Sequence, residues 1–239
     1  MVNFQDFCAN CNLLNARIER ATKACGRNPQ SVKILPVTKT HPLDAVEFSA
    51  QFGFDAVGEN KVQEASAKIE QAISQNANCA KISWELIGHL QTNKVKKAVE
   101  NFARIQSVDS IKLLEKINAE ASKFSKIQRI LLQINAGRDP AKFGAEIEDA
   151  PALLEASLNL ENIKVEGLMT IAPLDEDIQT AQRCFANLRN LRDELSEKFS
   201  VELPELSMGM SHDLEVAIQE GSTMIRVGTF LFGERNYAI

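Results

Sequence analysis

The chain has 239 residues, 44% of them hydrophobic and 25% charged, with a formal net charge of −5 and a pI near 5.4. Those values suit a globular protein that buries a sizeable core without staples, and they argue against a nucleic-acid surface, which needs a basic face. No run approaches the roughly 18 apolar residues of a membrane span, and five cysteines without framework spacing read as thiols of a reducing cytoplasm.

Residues 1–30 carry an amphipathic helix pattern and lack the basic start and apolar core of a secretion signal. Cys8 and Cys11 fall at i, i+3 within it. With no second C-x-x-C pair, shared burial is the better reading than a metal or redox site. Short apolar runs then alternate with segments of 3.6-residue period. Strands are expected at 33–39, 54–59, 82–89, 104–109, 129–135, 165–171, 204–210 and 223–232. Helices are expected near 42–52, 60–76, 91–102, 110–124, 146–158, 177–199 and 212–221, the first of them opened by Pro42. Such alternation implies parallel strands with right-handed crossovers. Eight units predict an α/β protein, a single-domain (β/α)8 TIM barrel over 1–239 with an extra N-terminal helix. A doubly wound open sheet competes, but no glycine-rich turn follows "KILPVTK".

Barrel chemistry gathers at the C-terminal ends of the strands. There the chain places Lys39, Glu59-Asn60, Gly88-His89, Asn135, Met169-Thr170, the loop "SMGMSHD", and Arg226 followed by Gly228-Thr229. Ser207, Gly209 and Ser211 precede a helix, so hydroxyls and backbone N–H groups collect where an anion would bind. Gly228 and Thr229 supply the second half of such a phosphate site. The plainer alternative makes Ser211 an N-cap and Gly209 a turn residue. Arg226 sits in an apolar strand and needs a partner, for which Glu59, Glu85 or another acid would serve. Glu59 reads as a base or as an internal partner of Lys39. Histidines at 41, 89 and 212 lack ligand spacing, so no metal is expected. A lysine and a phosphate subsite at one mouth suit an aldehyde-bearing phosphate, and pyridoxal 5'-phosphate meets both demands.

The segments "VTKTHP", "GENKVQE", "WELIGHLQTNK", "GLMTIAP", "LSMGMSHD" and "GSTMIRVGTFLFG" run collinearly from 37 to 233. Together they resemble the pyridoxal phosphate homeostasis protein family, whose barrel is that of the alanine racemase N-terminal domain. The resemblance implies Lys39 as the Schiff-base lysine and Arg226 facing the pyridine nitrogen. It also implies Ser207, Ser211, Gly228 and Thr229 at the phosphate, with Asn60 lining the mouth. Arginine opposite that nitrogen disfavours its protonation, by like-charge repulsion. Lys61 and Glu85 depart from residues common in the family and are expected at the pocket rim.

Three functions compete. One is a cytoplasmic, monomeric carrier that buffers or delivers pyridoxal phosphate to apoenzymes or free amino acids, without nucleic-acid or membrane partners. The others are a weak racemase and a lysine Schiff-base aldolase. A two-base racemase of this type uses a tyrosine from a second domain, whereas the one tyrosine here is Tyr237. The aldolase leaves the collinear motifs unexplained. Release of cofactor is expected to involve a second amine at a mouth that includes Lys61 and Lys142.

Overall fold

The computed structural model describes residues 2–75, 77, 79–173 and 177–233. Eight parallel strands alternate with helices along it: β1 Lys33–Pro36, β2 Ala56–Glu59, β3 Ser83–Leu86, β4 Arg104–Val108, β5 Gln128–Gln133, β6 Ile163–Met169, β7 Glu205–Ser207 and β8 Met224–Val227. The helices are α1 Phe4–Ala24, α2 Leu43–Phe52, α3 Val62–Ser74, α4 Val95–Asn101, α5 Ile111–Lys123, α6 Ala150–Leu158, α7 Ile178–Phe199, α8 Leu214–Gln219 and α9 Thr229–Phe232. The strand order is β1-β8-β7-β6-β5-β4-β3-β2, with every ladder parallel. One parallel bridge, Val37 to Gly58, joins the two ends of the sheet and closes the barrel. The expected (β/α)8 barrel with its N-terminal helix is therefore present.

Alternation along each strand sends one set of side chains inward and the other toward the helices. The outward set meets the helices in a long apolar layer that includes Val57, Leu86, Ile105, Leu132, Leu168 and Leu206. A second cluster lies beneath α1. Phe7, Cys11, Leu14 and Ile18 pack on Leu214, Ile218, Ile225, Val227, Leu231 and Phe232. α1 thus covers the side of the barrel formed by β8, α8 and α9, and Asn3 caps its start by accepting from the Asp6 N–H at 2.9 Å. Cys11 is buried in this layer, which pushes its thiol up to about 12, and Cys8 is half-buried one turn away.

One boundary differs materially from expectation. The run 223–232 is not one strand: β8 stops at Val227, and Thr229–Phe232 turns into α9. Gly228 breaks the strand, and Phe232 swings onto Phe7 with ring centroids 5.1 Å apart, so packing beneath α1 overrides a β-like apolar pattern. Among the described residues, no helix is long and apolar enough to cross a membrane.

Candidate functional site at the barrel mouth

The loops at the C-terminal ends of the strands enclose a cavity of about 630 Å³. It brings together Lys39, Asn60, Ser211, Arg226, Gly228 and Thr229, contributed by two widely separated parts of the sequence. Of the residues read from sequence, Ser207 stands apart. It is fully buried beneath the cavity, where its hydroxyl donates to Gln106 Oε1 at 2.6 Å and accepts from Arg226 Nη1 at 2.8 Å.

Lys39 is half-buried, just past the end of β1. Its two neighbours are pinned from below. Lys68 of α3 donates to the Thr38 carbonyl at 2.8 Å, to Glu59 Oε1 at 2.6 Å and to Glu64 Oε1 at 2.9 Å. The Thr40 N–H donates to the same Glu64 oxygen at 2.5 Å. Thr40 has φ of 65°, a left-handed conformation that a β-branched residue adopts only under constraint. The lysine therefore stands on a backbone held rigidly on both sides. Glu59 is not the partner of Lys39 that the sequence allowed. It pairs with Lys68 and accepts from Thr38 Oγ1, while Glu59 Oε2 is buried without a hydrogen-bond partner among the described residues. Burial outweighs the attraction of Lys68 and holds the Glu59 carboxyl above its usual range.

Arg226 projects from β8 into the cavity floor and is 4% exposed. Its Nη2 donates to the Thr170 carbonyl at 2.8 Å, and its Nη1 donates to Ser207. Both acceptors are neutral. The carboxylate partner expected for it is absent among the described residues, because Glu59 is taken by Lys68 and Glu85 by Arg104. Burial lowers the Arg226 pKa to about 10, with the Asp213 carboxylate acting the other way.

The loop after β7 follows Gly209, which has φ of 95°. A Cβ built there would lie 2.5 Å from Ala217 Cβ, so the close approach of loop to α8 requires glycine. Ser211 is not the N-cap of α8. Asp213 holds that position, and its carboxylate accepts from the Met210 N–H at 2.5 Å. Arg17 of α1 reaches over to the Ser211 carbonyl at 3.2 Å while paired with Glu215 at 2.8 Å, and so ties the loop to the N-terminal helix. Across the mouth, Gly88 lets its chain cross Asn60 closely, since an added Cβ would come 2.3 Å from the Asn60 carbonyl oxygen. His89 stacks on Phe143 with centroids 4.0 Å apart, and Gln133 holds the Phe143 carbonyl at 2.9 Å.

Neither of the two positions expected at the rim, Lys61 and Glu85, lines the cavity. Lys61 is exposed at the start of α3 and does not line the cavity, whereas Lys142 does. Glu85 is not at the mouth at all. It points into the barrel toward the opposite end, held by Arg104 Nε and Nη2, each at 2.9 Å. Tyr237 lies outside the described residues. Asp213, His89, Phe143 and Gln133 also line the mouth, and of these the sequence marks only His89, at the end of a strand, and Asp213, in the loop "SMGMSHD". Asp213 was legible as a helix cap two residues after a serine; the other three meet only through the folded loops.

A closed parallel barrel with a lysine at the end of its first strand and a desolvated arginine on its last, both in one cavity, defines the class: a (β/α)8 barrel with its functional groups gathered at the C-terminal mouth. The family model for the alanine racemase N-terminal domain matches residues 10–236. A pyridoxal phosphate homeostasis protein of Aquifex aeolicus is 42% identical over 230 residues, covering 95% of this chain and 99% of its own. The structure of PipY from Synechococcus elongatus, solved with PLP bound, is 37% identical with a TM-score of 0.78, covering 91% of this chain and 100% of its own. An alanine racemase of Clostridium difficile shares the fold alone, at 16% identity and a TM-score of 0.74 across 98% of this chain and 58% of its own. This chain belongs to the pyridoxal phosphate homeostasis protein family.

Proposed function

We propose that this chain binds pyridoxal 5'-phosphate at the barrel mouth, as a Schiff base on Lys39, and serves to hold, buffer and deliver the cofactor in the cytoplasm. The observation that carries the reading is that the Lys39 amine and the desolvated Arg226 guanidinium line one cavity with Ser211, Gly228 and Thr229. The cavity's residues fit the group. A volume of about 630 Å³ accommodates a cofactor of this size. Gly228 keeps the wall thin where an added Cβ would lie 3.2 Å from the Val37 carbonyl oxygen.

The cofactor supplies an aldehyde that condenses reversibly with amines and a ring that withdraws electrons. The residues of this chain do the rest. Lys39 provides the amine on a backbone fixed by Lys68 and Glu64. Arg226 would face the ring nitrogen and disfavour a proton there, which would make the ring a weaker electron sink than a carboxylate partner would. Ser211, Gly228 and Thr229 would receive the phosphate, and Asn60 borders the mouth. Lys142 lines the same cavity, where an incoming amine from an amino acid or an apoenzyme would compete for the aldehyde.

The test is the visible absorbance spectrum of the protein incubated with pyridoxal phosphate, beside that of Lys39→Ala. A band that borohydride abolishes in the wild type, and that never forms in the variant, is the expected result. Equal spectra from both proteins would overturn the assignment.

A further inference from the structure

A file of buried polar side chains runs up the barrel interior from the base to Arg226. Arg104 grips both oxygens of Glu85. Gln106 Nε2 donates to Glu85 Oε2 at 2.5 Å, Gln106 Oε1 accepts from Ser207 at 2.6 Å, and Ser207 accepts from Arg226 at 2.8 Å. All of these residues are buried, and Gln106 Nε2 also touches Met224 Sδ at 3.3 Å.

The direction of every bond in the file is fixed from both ends. An arginine can only donate, and a carboxylate paired with arginine can only accept. Glu85 therefore commits the Gln106 amide group downward and its carbonyl upward. That carbonyl commits the Ser207 proton downward, leaving the Ser207 lone pairs to receive Arg226. Reversing any one group would set donor against donor or acceptor against acceptor in a buried, low-dielectric interior.

We infer that Gln106 and Ser207 are positioning residues, which transmit the orientation of the Glu85–Arg104 pair to Arg226 and hold its guanidinium aimed into the mouth. The effect on the cofactor rests on the function proposed above; the effect on Arg226 does not. This assigns Ser207 a role different from phosphate contact, which its burial beneath the cavity does not favour.

The test uses Gln106→Met, Ser207→Ala and the double variant, with the Glu85–Arg104 pair left intact. Nitrogen-15 arginine-labelled protein without cofactor gives the first readout, the exchange rate of the Arg226 guanidinium protons. Ser207→Ala removes the charge-assisted hydrogen bond to Arg226 and is expected to speed that exchange about tenfold. Gln106→Met leaves that bond in place but frees the Ser207 proton to turn, and should speed exchange in the same direction by less, with the double variant no faster than Ser207→Ala alone, because both cut one chain. Unchanged rates, or effects that simply add, overturn the inference. The second readout is the pH midpoint of the bound-cofactor absorbance, expected to move by about one unit when Arg226 is released from its aim. A midpoint that stays at the wild-type value, with Lys39 still trapped by borohydride, overturns the link to the cofactor and leaves the proposed function standing. Absence of any adduct on Lys39 in the wild type overturns the proposed function instead, and guanidinium exchange then decides the inference alone. Ser207→Ala, which removes one oxygen, keeps the test available if Gln106→Met does not fold.

Discussion

Arg104 and Arg226 lie buried inside the same barrel, near opposite ends, and their surroundings are opposite in kind. Arg104, 2% exposed, is ringed by Glu85, Glu166 and Glu205, and Lys33 and Arg129 complete an ionic cluster at the base. Burial acts to lower its pKa, but the attraction and hydrogen bonds of Glu85, followed by Glu205 and Glu166, raise it overall. Arg226 has two neutral acceptors and a lowered pKa. The base is an interaction already complete within the protein. The mouth holds a cation whose desolvation the described residues only partly offset, and sites of that kind are where function is found. The difference separates an arginine whose charge the protein compensates from one whose charge it only partly does.

Breaking the base should give the largest effect on stability. Arg104→Met leaves buried carboxylates uncompensated and is expected to destabilise by about 3–5 kcal/mol, measured by urea unfolding. Lys68→Met, which strips Glu59 and Glu64 of their cation, should follow at about 2 kcal/mol, less because Glu59 is already inclined to bind a proton. Arg226→Met should change stability by no more than about 1 kcal/mol, since it removes a desolvated charge as well as two hydrogen bonds. It should instead weaken retention of pyridoxal phosphate by about tenfold or more, read by dialysis and absorbance. A large loss of stability in that variant with unchanged retention would erase the distinction between the two arginines.

Acid and base dependence sharpens the same contrast, with a smaller effect. At Glu166 burial acts upward, but Arg129 and Arg104 hold the carboxyl below its ordinary value of 4.5. Its contribution is fully present above that value and is lost as pH falls through the folded pKa. Glu59 has the opposite sign. Its raised pKa makes a contribution that is fully present below 4.5 and is lost as pH rises through the folded pKa. Unfolding free energies across acid to neutral pH should show Glu166→Gln flattening the acid limb and Glu59→Gln flattening the decline above it.

The mouth was more legible in the sequence than the base. Lys39 ends the apolar run of β1, and its position there suffices to place it on the rim. Gly228 and Thr229 fall inside the run expected as the last strand and reach the rim because β8 stops at Val227. The interior file was not legible, because its members are single polar residues at alternate positions of β3, β4, β7 and β8, and their partners come from strands far away in sequence. Within "RIQSVD" nothing local tells that Arg104 and Gln106 face the axis while Ile105 faces a helix. Glu85 was misplaced for that reason: it stands two residues before the apolar Ile87 of the mouth, and one step of alternation down a strand carries it toward the base. α9 was missed because its helix is imposed by α1 packing rather than by its own residues.

The most direct measurement is peptide mapping by mass spectrometry after borohydride reduction of the protein loaded with pyridoxal phosphate. The expected result is one pyridoxyl-phosphate adduct, on the peptide that carries Lys39, lost in Lys39→Ala. An adduct spread over Lys61, Lys142 and other surface lysines, with Lys39 unmodified, would contradict the account.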